Sequence, residues 1–252
     1  MDNINITNLY NDLVKRASAH KLLYHYTSLN TLKIILANQS LRLSSLCNVN
    51  DPQENKRISS LWNGKVFATC FTSTLDNADY FFSNYGKVRL TFYNNLLQSD
   101  IFFDSVLQSK MISFHMDCNS KSNFEHRSYD LQKDWCLFDK TFAEIYYTND
   151  LHLHITKDGY SLNAGLIKLK EGVDNKGVLC DWSIEKESRL RVAVRPIGFE
   201  TVRKGVSFEY PKPPFDYLYV SIAGLIAKIE LCNTCTIDEQ EQFNEIVKRY
   251  NH

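Results

Sequence analysis

The distribution of apolar and polar positions predicts a chain of short helices and short strands. Apolar residues recur at helical spacing in four segments, residues 5–20, 29–38, 76–85 and 238–250. Alternating or continuous apolar runs predict strands at residues 22–26, 40–44, 65–72, 87–92, 151–156, 164–170, 188–194, 206–210, 217–222 and 225–229. Residues 95–148, which are rich in aromatic side chains, are predicted to be mainly helical. Helices inserted between short strands favour the α+β class with a mixed or antiparallel sheet.

The linkers and the length predict how the chain is divided. No stretch is rich enough in Gly, Ser or Pro to mark a boundary, and 252 residues suffice for one large domain. We therefore predict a single domain over residues 1–252, with the helix at residues 238–250 at its C-terminal end.

Composition narrows the class of partner and the compartment. Lys and Arg together number 29, as do Asp and Glu, so a global attraction to nucleic acid or to an anionic membrane is not expected. No apolar run reaches the ~20 residues of a membrane span, and residues 1–11 lack the profile of a secretory signal. We therefore expect no membrane partner. The seven cysteines are scattered along the chain, which favours reduced thiols in a cytoplasmic protein.

Two short segments carry residues that could bind a ligand. In Tyr24-His25-Tyr26-Thr27 the histidine could hydrogen-bond a ribose or an amide, or it could be satisfied within the core. The hydroxyls that follow the strand at residues 65–72 could orient a ligand, or they could cap the next helix. Tyr85, near the end of that helix, could stack on a flat ring or simply be a buried aromatic residue.

A third segment, residues 181–192, combines carboxylates with arginines. If it is a strand, Glu185, Glu187, Arg189 and Arg191 share one face. A partly enclosed carboxylate beside an arginine can hold a hydroxyl and stabilise positive charge that develops on a sugar carbon. The alternative is a solvated strand face with weak ion pairs, each worth ~0.2–1 kcal/mol.

Other motifs are weak or missing. The sequence contains no GxGxxG, GxxxxGK[ST], GxSxG or HExxH pattern. Cys232-x-x-Cys235 would need two further ligands to hold zinc, and neither His115-x-x-Cys118 nor His152-x-His154 lies at a familiar spacing. We therefore predict no metal site and interpret the two cysteines as buried small side chains.

Taken together, these segments resemble those of a large bacterial family of uncharacterised proteins, and the resemblance covers about residues 20–230. The motifs stand in the same order here, as Tyr24-His25-Tyr26-Thr27, Leu41-Arg42-Leu43-Ser44, Asn50-Asp51-Pro52-Gln53-Glu54, Cys70-Phe71-Thr72-Ser73, Phe82-x-x-Tyr85 and Trp182-Ser183-Ile184-Glu185-Lys186-Glu187-Ser188-Arg189. The order of His, Tyr and Glu is also similar to the triad of ADP-ribosyltransferases of the His-Tyr-Glu type. This resemblance implies a split sheet with flanking helices and NAD as a substrate.

The resemblance also implies roles for individual residues. Glu187 would bind the nicotinamide ribose 2′-hydroxyl and favour an oxocarbenium-like transition state, while Glu185 would activate the acceptor. His25 would hydrogen-bond the adenosine ribose, and Tyr85, or alternatively Tyr80, would stack on nicotinamide. The remaining residues that the resemblance places at the NAD site are Tyr26, Thr27, Thr72, Ser73 and Arg189.

The expected protein is therefore a cytoplasmic transferase of the toxin, effector or antiviral defence type. It would transfer ADP-ribose from NAD to a protein or nucleic acid, and an inhibitory partner could restrain it. The alternative is a catalytically inactive form of the same fold that serves as a binding or regulatory module.

Overall fold

The computed structural model describes residues 6–48, 66–102, 135–149, 165–174, 176–196 and 216–250. The helices in these ranges are α1 (Ile6–Ala19), α2 (Leu29–Asn38), α3 (Ala78–Tyr85) and α4 (Ile237–Tyr250). The strands are β1 (Leu22–Thr27), β2 (Ser40–Ser45), β3 (Val66–Thr72), β4 (Val88–Tyr93), β5 (Ile101–Phe102), β6 (Trp135–Glu144), β7 (Tyr146–Thr148), β8 (Ile167–Leu169), β9 (Glu171–Val173), β10 (Leu179–Asp181), β11 (Glu187–Pro196), β12 (Tyr217–Ser221) and β13 (Ile226–Leu231). The predicted α+β class is confirmed.

The main sheet has nine strands, and its described pairings are all antiparallel. The order β13-β4-β1-β3-β2-β12-β5 forms one path, and β11 joins β3 to β6 on the other side of β3. Two small sheets stand apart from it, an antiparallel pair β9–β10 and a parallel pair β7–β8. Strand β3 therefore lies at the centre of the main sheet.

The sheet divides along one edge of β3. Strand β1 pairs with β3 only at Tyr24 and Thr72, whereas β2 pairs with β3 through Ser44 and Ser45, at the opposite end of β3. On its other edge β3 pairs continuously with β11. The strands β1, β4 and β13 thus form one arm of the sheet, and β2, β12 and β5 form another.

The core lies between the sheet and the helices that cover it. Its fully buried members include Leu23, Phe92, Leu190 and Leu218, one from each of four strands. Helix α2 begins where the Ser28 side chain accepts a hydrogen bond from the Thr31 backbone N–H at 3.1 Å, a standard N-cap. Its apolar side packs into the core through residues that recur at helical spacing, Leu29, Leu32, Ile35 and Leu36.

The helical prediction for residues 95–148 is wrong over the part that the structure describes. Apart from a short 3₁₀ turn at Leu96–Gln98, this part forms β5, β6 and β7. Strand β6 pairs along its length with β11, and Phe142 and Ala143 are both buried. Pairing with a strand some fifty residues away outweighs the helical propensity of residues such as Ala143 and Glu144 in β6.

The third candidate segment is also not one continuous strand. Residues Trp182–Glu185 form a 3₁₀ turn, and Lys186 adopts a left-handed conformation with φ of 41° before β11 begins at Glu187. The predicted strands at residues 151–156 and 206–210 lie outside the described residues, as does the segment at residues 50–54. No helix among the described residues is both long and apolar enough to cross a membrane.

Candidate functional site

A pocket of about 240 Å³ opens at the point where the sheet divides. Thr72, the last residue of β3, is the Cα partner of both Tyr24 on β1 and Glu187 on β11. Since neighbouring strands lie about 4.8 Å apart, the backbones at Tyr24 and Glu187 are separated by about 10 Å. The pocket is lined by Tyr24, His25, Tyr26, Asn48, Cys70, Phe71, Thr72, Phe81, Tyr85, Lys168, Trp182, Glu185, Glu187 and Arg189.

Glu187 is a buried carboxylate held by two cations. Arg189, two residues further along β11, donates from Nε to Oε1 at 2.5 Å and from Nη2 to Oε2 at 3.2 Å. The Lys168 ammonium lies 3.6 Å from Oε2. Burial on its own would raise the pKa of Glu187, but the charges of Arg189 and Lys168 outweigh it and lower the pKa to about 2. Glu187 is therefore ionised throughout the physiological range.

Glu185 faces the same pocket from the 3₁₀ turn. Its Oε1 accepts hydrogen bonds from the hydroxyls of Tyr85 and, at 3.4 Å, of Tyr80. Its Oε2 accepts a hydrogen bond from Lys168 Nζ at 2.9 Å. The turn is capped by Asp181, whose side chain accepts from the Ser183 backbone N–H at 3.0 Å. The structure thus brings both glutamates to one wall, although not through the strand alternation that the sequence predicts.

The two tyrosines of α3 differ in their relation to the pocket. Tyr85 lines the pocket and is 38% exposed, whereas Tyr80 contacts Glu185 without being part of the pocket lining. Burial, reinforced by the negative charge of Glu185, raises the pKa of Tyr80 to about 12 and raises that of Tyr85 further. Both hydroxyls therefore stay protonated and act as donors. Of the two stacking candidates, Tyr85 is the one that a ligand in the pocket would meet.

Gly86 fixes where Tyr85 lies. It ends α3 with φ of 126°, a conformation that residues with a side chain rarely adopt. A Cβ atom here would lie 2.5 Å from the carbonyl carbon and oxygen of Thr27 on β1. Only glycine lets the end of α3 approach β1 this closely, so Gly86 holds Tyr85 against the strand that carries His25.

His25 is a neutral side chain, and one of its two ring nitrogens forms a hydrogen bond within the protein. Its Nδ1 lies 2.9 Å from the Cys70 carbonyl oxygen, which can only accept, so Nδ1 carries the proton. Burial lowers the pKa of His25 and outweighs the opposing effect of this hydrogen bond. The second ring nitrogen, Nε2, is therefore an acceptor. The ring is tilted against Phe71, with centroids 5.7 Å apart.

The other predicted NAD-site residues divide into two groups. Tyr26, Thr72 and Arg189 line the pocket, whereas Thr27 and Ser73 do not belong to the described lining. The Thr72 hydroxyl accepts a hydrogen bond from the Thr74 backbone N–H at 3.3 Å, which is a local turn contact and not the predicted helix cap. The N-cap position of α3 is Asn77, and it makes no side-chain capping hydrogen bond. Thr27 contributes its backbone instead, as the surface against which Gly86 packs.

Two residues, Arg191 and Lys168, differ from what the sequence predicts. Arg191 shares the strand face of Glu187 and Arg189, but it is fully buried and paired with Asp139 on β6, outside the pocket. Since Glu187, Arg189 and Arg191 are all buried, a solvated strand face is wrong here. Lys168 lines the pocket although no local sequence pattern links it to the glutamates 17 and 19 residues later.

The Cys232-x-x-Cys235 segment lies elsewhere, after β13. Both cysteines are buried, and Cys232 Sγ lies 3.1 Å from the Thr234 hydroxyl oxygen. Within the described ranges, no group of three or more His, Cys, Asp and Glu side chains is placed to hold a metal ion. The other candidate zinc ligands, His115, Cys118, His152 and His154, lie outside those ranges.

Comparison with protein-family models finds no match for this chain, and comparisons with curated proteins and with solved structures find none either. Function therefore has to be inferred from the pocket and from the motifs that line it.

Proposed function

We propose that the pocket binds NAD and that the protein is an ADP-ribosyltransferase of the His-Tyr-Glu type, acting on a protein or nucleic acid. The observation that carries this proposal is that His25, Tyr85 and Glu187 line one pocket. They come from β1, α3 and β11, segments that are far apart in the sequence. The division of the sheet at β3 supports the split sheet that the resemblance implies.

The proposed reaction breaks the bond between nicotinamide and ribose C1′. The bonding electrons leave with nicotinamide, which departs as a neutral molecule, so no general acid is required for the leaving group. Positive charge develops on the ribose, and the ionised Glu187 is placed to accept a hydrogen bond from the 2′-hydroxyl and to stabilise that charge. A carboxylate that stays ionised while buried is suited to this role, because an enclosed site screens its charge poorly.

The walls of the pocket supply the other contacts. The Tyr85 ring, with Phe81 and Trp182 nearby, offers flat apolar surfaces for nicotinamide. His25 Nε2 is an acceptor suited to a ribose hydroxyl. Glu185 would take the proton that the acceptor nucleophile loses when its bond to C1′ forms. Glu185 Oε1 already accepts two hydrogen bonds, whereas Oε2 accepts one, from Lys168, and has room for a second.

The cellular setting is part of the same proposal. Four cysteines, Cys70, Cys180, Cys232 and Cys235, are free thiols, which supports a reducing compartment such as the cytoplasm. We place the protein there, as an enzyme of the toxin, effector or antiviral defence type.

A second candidate is a catalytically inactive module of the same fold. It is favoured by the two-point contact between Arg189 and Glu187, which already occupies both carboxylate oxygens. If NAD does not displace part of this contact, the pocket would bind a ligand without cleaving it.

Nicotinamide release from NAD by the purified protein tests the proposal and separates the two candidates. We expect Glu187→Gln to lower the rate by about 100-fold or more. Glu241→Gln, which changes an exposed glutamate on α4, is the matched control and should leave it unchanged. Thermal stabilisation by NAD without cleavage would indicate the inactive module, and neither binding nor cleavage would refute an NAD site.

A further inference from the structure

We propose that Lys168 is a positioning residue that holds Glu185 and Glu187 side by side as paired carboxylates on one wall of the pocket. This inference rests on the proposed NAD chemistry for its functional meaning. The geometric claim, that one ammonium group organises two buried carboxylates, can be tested without NAD.

Contacts on three sides fix the Lys168 ammonium. Nζ lies 2.9 Å from Glu185 Oε2 and 3.6 Å from Glu187 Oε2, so it bridges the two acids. The Trp182 ring lies on a further side, with its centroid 4.3 Å from Nζ. The Lys168 side chain is 7% exposed, and those of both glutamates are 6% exposed. An ion pair with so little solvent around it is not screened as a surface pair would be.

The backbone of β7 and β8 brings Lys168 to this place. Lys168 on β8 is the Cα partner of Tyr147 on β7. The Tyr147 hydroxyl accepts a hydrogen bond from the Glu187 backbone N–H at 3.2 Å, and the Ile145 N–H donates to the Glu187 carbonyl oxygen at 2.8 Å. The β7–β8 pair that carries Lys168, together with Ile145 just before β7, therefore also holds the main chain of Glu187. This double attachment is the arrangement expected of a support for a catalytic carboxylate.

The chemical need for Lys168 follows from the charges. Two carboxylates on one buried wall repel each other, and losing a shared cation makes the ionised form of the pair less favourable. The side chains that face Glu187 come from five strands and segments around it and also from α3; they are Arg189, Lys168, Cys70, Tyr147, Glu185 and Tyr85. Of these, Arg189 and Lys168 are the cations, and Lys168 is the one in contact with both acids.

The test compares Lys168→Met, which keeps the length and removes the charge, with Lys168→Arg, which keeps the charge. In protein labelled with ¹³C at the glutamate carboxyl carbons, an NMR titration measures the pKa of Glu187, and we expect Lys168→Met to raise it by about one unit or more.

In Lys168→Met we also expect kcat for nicotinamide release to fall by about 100-fold with KM changed less than threefold, because the carboxylates lose their alignment. The acid limb of the kcat profile should move to higher pH, and Lys168→Arg should restore most of the rate.

Several results would overturn the inference. One is a Glu187 titration that does not move in Lys168→Met; another is a fall in rate without a shifted acid limb, which would indicate a merely structural role. If Lys168→Met does not fold, the Glu187 pKa is measured in the double variant Lys168→Met with Glu185→Gln and compared with that in Glu185→Gln alone. A Glu187 pKa that is the same in these two variants would overturn the inference. A wild-type protein that does not cleave NAD would refute the proposed function, whereas the titration would still decide whether Lys168 organises the carboxylates.

Discussion

Replacing Glu187 with Gln should lower stability in a way that depends on pH. The pKa of Glu187 is about 2 in the folded protein against an ordinary value of 4.5. At about 1.4 kcal/mol per pKa unit, this difference corresponds to about 3 kcal/mol of stability at neutral pH. Because the folded pKa is the lower one, this contribution is present above pH 4.5 and is lost as the pH falls towards 2. By pH 3, linkage predicts that about 2 kcal/mol of it has gone.

Urea unfolding at pH 7, 5, 4 and 3 measures this loss. We expect the free energy of unfolding of the wild type to exceed that of Glu187→Gln at pH 7, and the gap to narrow by about 2 kcal/mol at pH 3. Glu241→Gln, exposed on α4, should run parallel to the wild type over the whole range. A gap between wild type and Glu187→Gln that stays constant from pH 7 to pH 3 would show that Arg189 and Lys168 do not hold Glu187 ionised.

Three further substitutions test how the pocket is built. Gly86→Ala should lower the free energy of unfolding by about 1–3 kcal/mol more than the control Gly177→Ala. The reason is that a Cβ at Gly86 would meet the Thr27 backbone, whereas nothing lies within 4 Å of a Cβ at Gly177. Thermal denaturation of both variants measures the difference. Tyr85→Phe keeps the ring and should leave the Kd for NAD within about threefold of the wild type, whereas Tyr85→Ala should weaken binding by about tenfold, measured by calorimetry. Arg189→Lys removes the two-point contact with Glu187 and should cost about 2 kcal/mol of stability in urea unfolding, and unchanged stability would count against that contact.

The elements with strong local signals could be predicted from the sequence. Helix α2 has a serine N-cap at Ser28 and a regular apolar stripe, and it begins and ends where the pattern indicates. Strand β3 is a continuous β-branched and aromatic run, and it lies at the centre of the sheet. In both cases, local propensity and burial favour the same structure.

The remainder depended on contacts between distant segments. Strand β6 contains good helix formers such as Ala143 and Glu144, and its pairing with β11 decides its conformation. The left-handed turn at Lys186 has no signal in the residue type, since lysine does not favour positive φ. Lys168 could not be found at all, because only the folded chain brings β8 to the glutamates. The sequence therefore indicates Glu185 and Glu187, but it does not indicate Lys168, the cation that contacts both of them.

The narrow junction between β1 and β3 has a mechanical consequence. One pair of partner residues contributes at most two backbone hydrogen bonds, so few backbone hydrogen bonds oppose a small rotation of β1, β4 and β13 away from the rest of the sheet. Such a rotation would leave β3 and β11 paired and would increase the distance between His25 on β1 and the two glutamates, Glu185 and Glu187. We therefore expect the junction between β1 and β3 to limit the size of ligand that fits the pocket, and ligand binding to slow deuterium uptake along β1.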